Sequence, residues 1–414
     1  MFSISGAIFF VLIFLVVYIQ VFFLVTFFEN RKKIVVRKGT IKLTMYPAVT
    51  IVVPCWNEEG TVYQTVRSLL ELNYPKDKLK IFLIDDGSTD NTLNILKKFK
   101  KNKNVKIFHK ENGGKHTALN LGLERIETSF FGCLDADSVV DPEALMRIMS
   151  YFEKEKKIMA VTPSIIVNNP RSIIQNAQKV EYHISIFTKR MLAFLGAIHV
   201  TPGPFTIFKK EVFENLGPYT HAHNTEDMEI AYRMQKNHYP IEHCNDAYVY
   251  TNTPGTIKKL YRQRLRWIYG FINNTIDYRD VLFRKKYGNF STFTVPAGII
   301  SIFTVSFIIS KFIYNLGNFL FTKISQFYTI GFNFYFSTKS LDPFFLNTGT
   351  LIFVSILIYI LVIISIVLGR RMIEGKWRLS FSAIYFFTIF SVIAPFWLMK
   401  AVYDTIFSQR PVWR

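Results

Sequence analysis

Phe130-Phe131-Gly132-Cys133-Leu134-Asp135-Ala136-Asp137 is a short apolar run that stops on two carboxylates. The run is too short for a globular helix and matches a buried strand. Residues i and i+2 at a strand end turn the same way, so both acids face whatever lies beyond it. The same design recurs on either side. Val49–Val53, Leu79–Ile84, Val105–Phe108 and Met159–Thr162 read as further strands. Between them Gly60–Leu72, Asn91–Phe99, Thr117–Ile126 and Pro142–Phe152 carry helical patterns, the last with proline in its first turn. This alternation predicts an α/β fold, a mostly parallel sheet with helices on both faces. Sheets of that kind bind ligands beyond the carboxyl ends of their strands. The polar clusters Asn57-Glu58-Glu59, Asp85-Asp86-Gly87-Ser88 and Asp135-Ala136-Asp137 all fall there.

Beyond this region the chain turns apolar. Half of the 414 residues are hydrophobic, and they are segregated. Ser3 to Phe28 carries no charge over about 26 residues, roughly 39 Å as a helix and enough to cross a bilayer. It lacks the basic start and small-residue cleavage site of a signal peptide. Three more runs follow at about Phe293–Phe321, Leu351–Leu368 and Leu379–Met399. Lys311 interrupts the first of them and can snorkel to the outer interface. Arg31, Lys32, Lys33, Arg37 and Lys38 follow the first run, and Arg370, Arg371, Lys376 and Arg378 fill the loop between the last two. Only Lys323 and Lys339 lie in 322–347. The positive-inside rule then puts the central domain in the cytoplasm and both termini outside, with four spans in the plasma membrane. The expected divisions are 1–29 for the first span, 46–267 for the soluble domain, 268–292 for an amphipathic interface segment and 293–414 for the remaining spans. Ile173–Leu195 and Ile268–Phe290 read as amphipathic interface helices.

A net charge of +20 invites a nucleic-acid partner. Much of it sits in juxtamembrane segments, where anionic membrane lipid explains it, and the rest attracts a nucleotide diphosphate, so no nucleic-acid partner is expected. Cys55, Cys133 and Cys244 form no Cys-x-x-Cys and read as reduced packing residues.

Several constellations carry chemistry. Asp135 and Asp137 suit a hard cation such as Mg2+ or Mn2+, which can bridge diphosphate oxygens. A carboxylate at Asp85 or Asp86 can accept the N–H of a uracil or a ribose hydroxyl. The paired glycines of Asn112-Gly113-Gly114-Lys115 let backbone approach a phosphate, and Lys115 adds a point charge. Thr225 reads as the N-cap of a helix whose first turn holds Glu226 and Asp227, and Asp227 suits a general base for an acceptor hydroxyl. Gln263, Arg266 and Trp267 lie at i, i+3 and i+4 on one helical face. They suit a diphosphate and a flat sugar ring. Each segment also has a plainer reading as a turn, a cap or a basic juxtamembrane helix.

Taken in order, these elements resemble the processive, membrane-bound family 2 glycosyltransferases, the synthases of hyaluronan, chitin, cellulose and poly-N-acetylglucosamine. The resemblance runs from about Ile51 to Tyr269 through Pro54–Glu58, Asp85–Ser88, Gly114-Lys115, Asp135–Asp137, Gly203–Phe205, Thr225–Asp227 and Gln263–Trp267. It implies a GT-A-type domain inserted between transmembrane helices, a UDP-sugar donor, and a growing polysaccharide or a lipid as acceptor. Asp85, Asp86, Lys115, Asp135, Gln263 and Arg266 would then hold the nucleotide sugar. Asp135 and Asp137 would serve the metal, and Asp227 would be the base. Gly203, Pro204, Phe205, Glu226 and Trp267 would line the acceptor. The run Pro202–Lys210 looks most like poly-N-acetylglucosamine and hyaluronan synthases, which favours UDP-GlcNAc. An accessory subunit is compatible with this reading. The rival readings are a single transfer to a lipid and a transporter carrying a nucleotide-binding domain.

Overall fold

The computed structural model describes residues 4–34, 41–330 and 350–409. Arg37, Lys38 and Lys339, invoked above for membrane orientation, lie outside the described residues.

In chain order the elements are α1 (Ile4–Asn30), β1 (Val49–Cys55), α2 (Val62–Leu70), β2 (Leu79–Asp86), α3 (Thr92–Lys97) and β3 (Val105–Lys110). Next come α4 (Lys115–Leu123), β4 (Phe130–Cys133), β5 (Ser138–Val140), α5 (Ala144–Lys154), β6 (Ala160–Val167), α6 (Ile173–Phe194) and β7 (Ile207–Lys209). The last are α7 (Glu211–Leu216), α8 (Glu226–Lys236), β8 (Ile241–Thr251), α9 (Ile257–Asp277), α10 (Val295–Ile330), α11 (Thr350–Glu374) and α12 (Ser382–Ile406).

The eight strands form one sheet in the order β3-β2-β1-β4-β7-β6-β8-β5. The first four are mutually parallel, and β6 and β8 are parallel to each other. The expected parallel α/β sheet is therefore present, but mixed: β7 runs antiparallel between β4 and β6, and β5 antiparallel to β8. Strand alternation divides the core. Ile51 and Val53 of β1 join α2, α3 and α5 on one face, whereas Val52 joins α4, α6 and α8 on the other.

The amphipathic reading of Ile173–Leu195 corresponds to α6, and its apolar face is covered. Phe187 and Met191 pack in one cluster with Phe23 and Phe27 of α1 and Leu368 and Met372 of α11. A β-carbon at Gly369 would stand 2.0 Å from the backbone oxygen of His183, so α11 lies directly on α6. The second amphipathic expectation needs correction. Ile268–Phe290 is not one helix: α9 ends at Asp277, and two 3-10 turns follow, with Phe283 and Gly288 at positive φ. Those two residues cannot continue a right-handed helix. Leu265 and Tyr269 of α9 pack on Trp397 and Ala401 of α12.

Among the described residues, four helices are long and apolar enough to cross a membrane. The 36-residue α10 is the longest, roughly 54 Å against an apolar bilayer core of roughly 30 Å.

Candidate active site

The carboxyl ends of β2 and β4 bring the acids together, as parallel strands require. Asp85 is fully buried, and its Oδ2 is 2.6 Å from His109 Nδ1 on β3. Its Oδ1 has no hydrogen-bond partner among the described residues, which leaves one acceptor open. Asp86 is already committed. Its carboxylate accepts from Lys110 Nζ at 2.6 Å and from the backbone N–H groups of Gly113 and Gly114 at 3.1 and 2.9 Å. The glycine pair was expected to approach a phosphate. Its N–H groups instead close on Asp86, and the loop serves to aim Lys115 from the start of α4.

Lys115 Nζ sits 2.7 Å from Asp135 Oδ1 and 3.2 Å from Glu226 Oε1. Burial pulls its ammonium down, but Asp135, Glu226 and Asp227 outweigh that and hold it well above its ordinary value. Burial alone would raise Glu226, yet Lys115 and Arg266 hold it below the usual carboxylate range. Asp227 has the opposite fate: burial and the adjacent Glu226 push it up to about 6 against the pull of Lys115 and Arg266. Burial, with Asp135 and Glu58, pushes Asp137 up to about 7, although Ser138 Oγ donates to it at 3.0 Å.

Gly203 closes one side of this cluster. A β-carbon there would meet Lys115 Nζ at 2.4 Å and Asp135 Oδ1 at 2.7 Å, so any larger residue would push this ion pair aside. Phe205 requires a correction. It holds a positive φ of 63°, is fully buried, and packs in the core beside Ile207 and Val161. Its ring is therefore unavailable to an acceptor; its N–H donates to Cys133 O at 2.7 Å and so fixes the Gly203 turn.

Helix α9 supplies the rest. Arg266 donates to Asn224 O at 2.6 Å, next to Thr225-Glu226-Asp227. Gln263 Oε1 accepts from Arg264 at 2.7 Å. Trp267 is half-buried, with the Arg264 guanidinium 4.1 Å from its ring centroid, so one ring face is already covered. Arg264 is itself buried and grips Glu181 of α6 with two nitrogens, a clamp that sequence reading missed. Lys189 of α6 was also missed: burial lowers its ammonium to about 8, with Asp227 opposing. Thr225 does not cap α8 as expected. Its hydroxyl donates to Ala222 O and accepts from Asn274 Nδ2, both at 2.9 Å.

A cavity of about 250 Å3 opens beside Asp137, lined by Thr61, Gln64, Thr65, Asn168 and Asn252. Amides and hydroxyls of that kind suit a hydroxyl-rich ligand. A second cavity, about 310 Å3, lies behind 220–224 with His223, Tyr269 and Asp277 in its wall. Among the described residues no three His, Cys, Asp or Glu side chains converge as a complete metal cage. Asp135 and Asp137 still fit a divalent cation of the magnesium type, which takes one or two carboxylates and fills its shell with substrate phosphates.

Residues 50–217 match the sequence profile of Glycosyl transferase family 2. That segment is similar to family 2 glycosyltransferase domains. Its relatives include two proteins named poly-beta-1,6-N-acetyl-D-glucosamine synthase. The one from Staphylococcus epidermidis is 36% identical over 224 residues, covering 54% of each chain. The one from Staphylococcus aureus (strain MSSA476) is 31% identical over 266 residues, covering 64% of this chain and 62% of that one. The chain thus matches between half and two thirds of the length of these curated relatives. Among solved structures, a mannosyltransferase from Pyrobaculum calidifontis in complex with GDP-Man and Mn2+ superposes with a TM-score of 0.60 at 16% identity. That match covers 96% of this chain and 99% of the other and shows a shared fold. The family 2 match ends before Thr225–Asp227 and Gln263–Trp267, whose place in the site rests on geometry.

Proposed function

We propose that the protein is an inverting, membrane-bound glycosyltransferase that polymerises a sugar from a UDP-sugar, UDP-GlcNAc favoured, into a β-linked polysaccharide and exports it. The reading is carried by one arrangement: the Asp227 carboxylate, raised to about 6, stands among Glu226, Lys115 and Arg266 at the start of α8. A carboxylate so tuned is ionised near neutral pH and basic enough to take a proton. The names of the two staphylococcal relatives support a polymer of N-acetylglucosamine.

In this mechanism the acceptor hydroxyl oxygen attacks the anomeric carbon as Asp227 takes its proton. The bond from that carbon to the diphosphate oxygen breaks on the opposite face, and the nucleotide diphosphate leaves. Inversion follows from that single displacement. Lys115 and Arg266 supply positive charge where the diphosphate gains negative charge. Asp135 and Asp137 would hold a Mg2+ or Mn2+ ion, which neutralises diphosphate charge when bound. Asp85, with its open oxygen, would accept from the uridine. Trp267, on its uncovered face, would meet the acceptor.

By the positive-inside rule, the basic residues after α1 (Arg31, Lys32, Lys33) and those at the end of α11 (Arg370, Arg371) support a cytoplasmic catalytic domain. The helices packed on α6 and α9 would carry the product outward. Replacement of Asp227 by Asn tests the central assignment. Turnover of UDP-GlcNAc should be lost while UDP affinity is retained, and unimpaired turnover would remove Asp227 from the role of base.

A further inference from the structure

Thr225 precedes the acids of α8 and has the chemistry of an N-cap, yet its hydroxyl makes no capping bond. It is engaged elsewhere. The O–H donates to Ala222 O, and Asn274 Nδ2 of α9 donates to the same oxygen, each at 2.9 Å. Asn274 is fully buried, and its Nδ2 also donates to Gly270 O at 2.8 Å. A backbone carbonyl only accepts, so this second bond fixes which end of the amide faces Thr225. One turn earlier, Gly270 makes the approach possible. A β-carbon there would stand 2.3 Å from Thr225 Oγ1 and 2.4 Å from its methyl carbon. One turn earlier again, Arg266 donates to Asn224 O. Residues 266, 270 and 274 form a single stripe along α9. All three touch the two residues that lead into Glu226 and Asp227.

We infer that Gly270 and Asn274 are positioning residues that, with Arg266, lock the 224–225 backbone onto α9 and so aim the Asp227 carboxylate at the acceptor. The inference rests on the reading of Asp227 as the base. Neither residue belongs to the Gln-x-x-Arg-Trp stretch, and neither needs to touch substrate. A hydroxyl diverted from the nearest helix terminus to a neighbouring helix gains nothing for α8 itself. What it does is fix the distance between the element that carries the base and the element that carries Arg266.

The test uses the full-length chain in lipid vesicles, with UDP-GlcNAc as donor and UDP release and UDP affinity as the two readouts. Asn274→Ala removes the donor. Thr225→Val keeps the side-chain shape and removes the hydroxyl, so it probes the same link in a chain that still folds. Both should lower kcat about tenfold with UDP affinity retained, since a misplaced base slows reaction without weakening nucleotide binding. Combined, they should cost no more than either alone. Thr225→Ser should recover most of the loss seen in Thr225→Val. An unchanged kcat, or a loss of UDP affinity in parallel with kcat, overturns the inference. Asp227→Asn, measured alongside, separates the two levels. If it is inactive while Asn274→Ala and Thr225→Val turn over normally, the positioning role alone fails; if it turns over normally, the base assignment fails and the inference falls with it.

Discussion

Replacing Gly203 by Ala should disable the site while leaving the fold almost intact. The added β-carbon would lie 2.4 Å from Lys115 Nζ and 2.7 and 3.0 Å from the two Asp135 oxygens. Ordinary contact begins near 3.4 Å, so the Lys115–Asp135 pair must retreat by about 1 Å, a displacement that costs on the order of 100-fold in rate when it falls on a positioned reacting group. The atoms that move are the far ends of flexible side chains, and no positive φ is recorded at Gly203, so strain in the fold is small. The cost should therefore appear in kcat/KM and not in Tm. Initial rates of UDP release from UDP-GlcNAc, with thermal unfolding of the same preparations, distinguish the two. Activity within twofold of the parent chain would refute the claim that Gly203 makes room for the lysine–carboxylate pair.

Three further outcomes follow from packing and charge. With Asp227 raised to about 6, kcat should fall as pH drops through that value, because the protonated acid cannot accept the acceptor's proton; a pH–rate profile flat from 5 to 8 would exclude this carboxylate. Arg264→Ala strips Glu181 of its bidentate partner in a largely buried setting and should destabilise the chain by about 3 kcal/mol, read as a lowered Tm in detergent. Gly369→Ala forces α11 away from the His183 carbonyl and should cost about 1–3 kcal/mol by overpacking, with a lowered Tm and UDP affinity retained.

Much of this architecture could be read from the residues. Strands β1, β2, β3, β4 and β6 announce themselves as apolar runs between helical patterns, and the acids at their ends follow from strand direction. The strands that escaped reading did so for physical reasons. Ser138–Val140 and Ile207–Lys209 are too short to display a period. Ile241–Thr251 hides its character because His243, Asn245 and Asp246 are buried on it, and its register shifts beside Pro163 and Ser164. At the site, Lys115, Asp135, Glu226, Asp227 and Arg266 were all named from sequence and lie together. What sequence could not show is which polar groups are already satisfied. Asp86 spends itself on the Gly113–Gly114 loop, Thr225 faces α9 and not its own helix, and Phe205 turns inward. Those outcomes depend on contacts between segments far apart in the chain, as do the roles of Gly270, Asn274 and Glu181.

The most direct test of the central claim is to offer UDP-GlcNAc to the purified chain in lipid with Mn2+ or Mg2+, follow UDP release, and size the sugar product. UDP release accompanied by a high-molecular-weight polymer of N-acetylglucosamine is expected. UDP release that yields only a singly glycosylated lipid, or no UDP release at all, would contradict that claim.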